Sequence, residues 1–147
     1  MYKHILISTD GFDVSQKGLD HGLSLAKALG AKVTIMTVTE RIYTKVTVDG
    51  WVPGPNEVAD YDAGQKKWAD GVLARAKAAA DKLGVVAETV HVPDALPAEA
   101  IIETAKSLGC SLIAMSSHGR RGIRRLLLGS QTSEVLAHSP VPVLVVR

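Results

Sequence analysis

Two short stretches of the 147-residue chain carry residue types suited to holding a ligand. The longer one, Met115 to Thr132, reads MSSHGRRGIRRLLLGSQT. Small hydroxyl residues and Gly119 close an apolar run, Arg120, Arg121, Arg124 and Arg125 follow, and Gly129-Ser130 opens a helical pattern. Each part suits a polyphosphate: glycines let main-chain N–H groups come close, a helix N-terminus presents unpaired donors at a positive partial charge, and hydroxyls add further donors. Taken singly, the parts also suit a helix stop, a solvated arginine turn and an N-capped helix. Their combination between one strand and one helix is what points to a ligand. The shorter stretch is Ser8-Thr9-Asp10-Gly11, where a carboxylate and a glycine meet before a helix. On local sequence alone, Asp10 or Asp13 reads first as a helix N-cap there. His118 stands where it could orient the loop or touch a phosphate.

Five apolar runs of strand length must position these stretches: His4 to Ser8, Lys32 to Val38, Ala87 to Val92, Ser111 to Met115 and Val141 to Val146. Between them lie helical patterns. Val14 to Leu29 carries Leu19, Leu23 and Ala26 on one stripe, and Val58 to Leu83 spaces Trp68, Val72, Ala76, Ala79 and Leu83 by threes and fours. Ala98 to Leu108 has Ile101, Ile102, Ala105 and Leu108 as its stripe, with Pro97 suited to the first helical position and Gly109 to the stop. Ser130 to Ala137 turns Val135 and Leu136 inward before Pro140 ends it. Alternating strands and helices predict an α/β fold, with right-handed crossovers onto an open parallel sheet and helices on both faces. Ligands in such sheets bind beyond the carboxyl ends of the strands, where the strand order reverses. Pro142 cannot donate to a ladder on both sides, so the last strand is expected at a sheet edge, covered by a second copy of the chain. The connection from Glu40 to about Glu57 is long, and Tyr43, Trp51, Tyr61 and Trp68 cluster near it: either Trp68 packs in the core and the others shield a loop, or they form a lid over a site.

Composition narrows the classes. The chain is 46% hydrophobic and 22% charged, with 17 Lys and Arg against 15 Asp and Glu, as for one soluble domain over residues 1–147. Without the four clustered arginines the count becomes 13 against 15, so the basic excess belongs to one segment. One short cluster predicts only weak, salt-dependent contact with nucleic acid. The single Cys110 forms no internal disulfide and reads as a buried, inert thiol, in keeping with a reducing compartment. No apolar stretch is long enough for a membrane span, and the opening MYKHILISTDG lacks a signal-peptide core, so a cytoplasmic location is expected. GxxxxGK[ST], GxGxxG after the first strand, GxSxG and paired Cys/His metal spacing are all absent.

The opening ILISTDG, the run VTIMTV, the helix start PAEAII, and SSHGRRGIRRLLLGS followed by PVPVLVV together resemble the universal stress protein (UspA) superfamily, over essentially the whole chain. The nucleotide-binding branch of that family carries G-x2-G-x9-G-[ST] after the fourth strand. Here Gly119 matches the second glycine, nine residues follow, and Gly129-Ser130 completes the pattern, while Ser116 stands at the first glycine. The resemblance implies a Rossmann-like sheet of order 3-2-1-4-5, with its switch point between the first and fourth strands, and a homodimer through Val141 to Val146. It implies an adenine nucleotide, ATP with Mg²⁺, with Asp10 and the main chain near Val38 at the adenine. Met115, Ser116 and Gly119 would face the ribose and phosphates, and Gly129, Ser130 and Gln131 would hold the phosphates. A side chain at position 116 is expected to crowd the ribose or first phosphate, weakening or altering ATP affinity rather than abolishing it.

The function so implied is a stress-response and signalling binding module rather than an enzyme, because no general base or paired nucleophile is positioned for turnover. The alternative is a universal stress protein that binds no ATP and acts as a dimeric interaction protein, as some members of the family without the motif do. An enzyme that adenylates a substrate would need an SGGxDS-type loop where STDGFD stands.

Overall fold

The computed structural model describes residues 1–42, 50–118 and 128–147. The apolar runs form strands β1 (His4–Ser8), β2 (Lys32–Val38), β3 (Ala87–Val92), β4 (Leu112–Ser116) and β5 (Val143–Val146). The helices are α1 (Asp13–Leu29), α2 (Pro55–Leu83), α3 (Pro97–Ser107) and α4 (Ser130–His138). All four strand pairings are parallel, in the order β3-β2-β1-β4-β5. The reversal of order between β1 and β4, and the edge position of β5, are as the sequence reading expected.

Strand parity divides the core. Ile5, Ile7, Val33, Ile35, Leu112 and Ala114 face one layer, with Leu19, Leu23 and Ala26 of α1 and Leu73, Ala76 and Ala80 of α2. Leu6, Met36, Ile113 and Met115 face the other, with Ala98, Ile101 and Ala105 of α3 and Val135 of α4. Side chains alternate across the sheet, so each of these strands supplies both layers, and the central runs are buried throughout.

Several boundaries and facings differ from expectation. β4 lies one residue later than Ser111 to Met115, which places Ser116 inside the ladder opposite Val146. β5 starts only at Val143, because Pro142 has no N–H to pair; its carbonyl accepts the Ile113 N–H at 3.0 Å. α2 starts at Pro55, three residues before Val58, with proline in its first turn. Leu136 is 43% exposed rather than inward, because α4 buries only the stripe of Thr132 and Val135. Leu108 is likewise exposed, since α3 ends at Ser107 and Leu108 is its cap. Neither Asp10 nor Asp13 caps α1; its N-cap is Phe12, which has no side-chain cap bond, and Asp13 is already helical.

Candidate functional site

The carboxyl ends of β1 and β4 lie side by side at the switch point, and α1 and α4 are the next helices in sequence after them. After β1 the chain is held on all sides. The Thr9 N–H donates to Met36 O at 3.0 Å, extending the β1–β2 ladder, and Thr9 Oγ1 lies 3.1 Å from Ser15 Oγ. Asp10 Oδ1 accepts the Phe12 N–H at 3.0 Å, so this carboxylate closes the turn ahead of α1. Gly11 has φ +78, and a Cβ there would come within 2.5 Å of Val72 Cγ2, so only glycine lets the turn rest on α2. Phe12 packs on Trp68 of α2 with ring centroids 6.1 Å apart.

After β4 the chain is tied to both neighbours. Ser117 N–H donates to Val146 O at 2.8 Å, while Ser117 O accepts the Gly129 N–H at 2.8 Å. Thr132 Oγ1, in the first turn of α4, lies 3.1 Å from Ser116 O and 3.2 Å from Ser117 O. Gly129 is the N-cap of α4, and a Cβ on it would sit 3.2 Å from Ser117 O and 3.6 Å from His118 Cα. His118 Nδ1 is 2.9 Å from Ser117 Oγ, while its buried Nε2 has no partner.

The first N–H groups of a helix have no partner within it, so the starts of α1 and α4 both present donors at this end of the sheet. They differ in charge. α1 has Asp13 in its first turn and Asp10 just before it, whereas α4 has no acidic residue in its first turn. An anionic group is therefore favoured at α4, by about 0.3–1 kcal/mol for an exposed charge, and disfavoured at α1.

The expected site residues fall as follows. Asp10 lies just beyond β1, Val38 ends β2, and Ser116 ends β4. Gly129 and Ser130 form the start of α4. Met115 is a core residue, 6% exposed, in the α3/α4 layer. Gln131 is in the first turn of α4, yet its side-chain Oε1 accepts the Ala98 N–H at 3.0 Å, which leaves its main-chain N–H as the group directed past the helix start. Gly119 and the four arginines lie outside the described residues, as does Tyr43. Thr132 closes the stretch singled out in the sequence without a role of its own there, and its hydroxyl lies in the first turn of α4, while Gly18, whose N–H donates to Ser116 Oγ at 3.1 Å, escaped the sequence reading. The Gly18/Gly22 pair, four apart on one helix face, was the available signal for a close approach of helix to sheet.

Among the described residues, the other polar and titratable groups lie elsewhere. Burial pushes the Cys110 thiol up, which keeps it protonated and unreactive. His4 and His91 bond Thr34 and Thr39, each at 2.8 Å. The His91 bond holds the root of the β2–α2 connection, where Thr39 N–H also donates to Val92 O and the Tyr61 hydroxyl donates to Glu40 O. A hollow of about 400 Å³ between α2 and β3, lined by Asp70, Lys77, Asp81 and Thr89 among others, is remote from the switch point. Among the described residues no cluster of three His, Cys, Asp or Glu could hold a metal, and no helix is long and apolar enough to cross a membrane.

This fold has counterparts in known proteins. The universal stress protein family model matches residues 1–147. The chain belongs to the universal stress protein family. Universal stress protein YxiE of Bacillus subtilis is 36% identical over the whole of both chains. Among solved structures, hypothetical protein MJ0577 superposes with a TM-score of 0.81 at 27% identity, covering 99% of this chain and 96% of that one. A universal stress protein solved in complex with cAMP matches with a TM-score of 0.68 at 25% identity, covering 99% and 97%.

Proposed function

We propose that this universal stress protein is an adenine-nucleotide-binding module of the stress response, taking ATP with Mg²⁺ at the switch point between β1 and β4. The observation that carries this reading is the start of α4. Gly129 lets the helix start press close on the end of β4, where a Cβ would stand 3.2 Å from Ser117 O, and the first turn behind it holds donors and no acidic side chain. The family relative solved with cAMP supports an adenine nucleotide as the ligand class.

In this reading the main-chain N–H groups of Ser130 and Gln131 and the Ser130 hydroxyl hold phosphates, with Gly119 and the arginines of the spacer nearby in sequence. Asp10 and the main chain at Val38 meet the adenine, and the main chain at the end of β4, at Met115 and Ser116, faces the ribose. Without three clustered metal ligands among the described residues, Mg²⁺ would be carried chiefly by the phosphates and water, as is usual for this ion. Binding rather than turnover is the activity, the chain acts in the cytoplasm as a single domain, and β5 pairs with a second copy.

Isothermal titration with ATP and Mg²⁺ tests this reading. Wild-type protein should give saturable heat, and Gly129→Asp, which puts a carboxylate where phosphates would lie, should abolish it while circular dichroism stays unchanged. No heat at high micromolar nucleotide, with no nucleotide released on denaturation, would leave the family's ligand-free interaction role as the function.

A further inference from the structure

Ser116 is the one residue where the chain departs from the glycine pattern of the β4–α4 segment, and its side chain does not enter the cleft. Ala114 and Ser116 share the parity that faces α1, while Ile113 and Met115 face α3 and α4. Ser116 Oγ donates to Val14 O at 2.9 Å and accepts the Gly18 N–H at 3.1 Å. This contact needs glycine at position 18: a Cβ there would lie 2.7 Å from Ser116 Oγ and 2.8 Å from Ser116 N. The main-chain carbonyl of the same residue accepts the Thr132 hydroxyl at 3.1 Å, and Thr132 is 2% exposed. Ser116 thus bonds α1 through its side chain and α4 through its carbonyl, at the level where both helices begin.

We propose that Ser116 is a positioning residue that holds the first turns of α1 and α4 at one spacing across the nucleotide site. The proposal rests on the nucleotide-binding reading for its effect on affinity, and on geometry alone for its effect on the two helices. A glycine at this position would leave the Val14 carbonyl and Gly18 N–H to the helix alone and free α1 to slide along β4. Serine therefore acts as a strut beneath α1, rather than as an obstruction to ribose or phosphate.

The test combines Ser116→Ala, Ser116→Gly and Thr132→Val, each read by amide hydrogen exchange without nucleotide, by thermal melting and by titration with ATP and Mg²⁺. Ser116→Ala should speed exchange in the segments 13–18 and 130–135 together while leaving α2 and α3 unchanged, and should weaken ATP binding by about tenfold, the size of one lost internal hydrogen bond. Ser116→Gly, the residue of the family pattern, should do the same and guards against an alanine variant that fails to fold. Ser116→Ala combined with Thr132→Val should weaken binding by less than the product of the single effects, since both act through one strut. Faster exchange confined to α1, a uniform loss across all helices, or wild-type affinity in Ser116→Ala and Ser116→Gly would overturn the proposal. Should the wild-type protein bind no ATP, the nucleotide reading fails, and the exchange pattern in the two segments alone decides whether Ser116 joins them.

Discussion

Gln131 on α4 caps α3. Its Oε1 accepts the Ala98 N–H at 3.0 Å, in the first turn of a helix whose N-cap, Leu96, offers no side-chain acceptor and whose first residue, Pro97, has no N–H at all. A donor left orphaned by the sequence of α3 is satisfied from another helix, and the starts of α3 and α4 are thereby joined. Gln131→Ala should lower stability by about 1 kcal/mol, the usual worth of a helix cap. Thermal melting checks this, and an unchanged midpoint would show that water replaces the bond at no cost.

The packing of α1 on the sheet makes two neighbouring glycines unequal. A Cβ at Gly22 would meet side-chain atoms only, Ile7 Cδ1 at 2.6 Å, Ile7 Cγ1 at 2.9 Å and Ala114 Cβ at 3.3 Å, and the two nearest belong to a side chain that can shift without moving the main chain. At Gly18 it would meet the main-chain N of Ser116 at 2.8 Å, which can yield only if the helix or the strand moves. Alanine returns about 1 kcal/mol of helix propensity at either site, against an overpacking cost of about 1–3 kcal/mol. Gly18→Ala should therefore be clearly destabilising in urea titrations and Gly22→Ala much less so; the reverse order would show that α1 is free to adjust over β4.

Acid should weaken the fold through buried His4 and half-buried His91. Burial, and then the charge of Lys32, hold His4 below its ordinary value of 6.5. His91 is lowered by burial, aided by Lys66 and opposed by Asp70. An unfolded chain then takes up protons that the folded chain refuses, so this contribution is complete above about pH 6.5 and is lost as the pH falls towards the folded values. The urea midpoint should drop between about pH 7 and about pH 5, and His4→Gln should flatten part of that slope. A variant with the full wild-type slope would place the titrating group elsewhere.

At the sheet edge, β5 offers one side of its backbone to solvent, with Val143, Leu144 and Val145 each only half-buried. Apolar edges of this kind are normally covered. Sedimentation of the wild-type protein should show a dimer, and Val145→Lys should shift it towards monomer without unfolding. A monomer at high concentration in the wild type would mean that another surface covers this edge or that it stays open.

Much of the architecture is written in local pattern. The apolar runs at His4–Ser8 and Lys32–Val38, the stripe of Leu19, Leu23 and Ala26, and Pro97 and Gly129 at helix starts are short-range signals, each set by sterics or burial within a few residues. Pro142 marked the edge strand because a missing N–H is a property of the residue alone. Leu136 misled for a physical reason: a nine-residue helix buries one narrow stripe, and a residue next to Val135 is turned about 100° away from it.

What the sequence determined by itself was the order of elements along the chain and the residue types that follow the first and fourth strands, because these follow from periodicity and from the identity of single residues; the strand order that sets the switch point was implied by the family resemblance. What only the tertiary structure decided was where each polar group is used. Ser116, expected in the cleft, spends its hydroxyl on Val14 and Gly18; Gln131, expected at phosphates, spends its side chain on Ala98. A hydrogen bond is won or lost over fractions of an ångström. Positions 98 and 131, or 18 and 116, meet at that distance only through the packing of whole helices on the sheet, which no local pattern records.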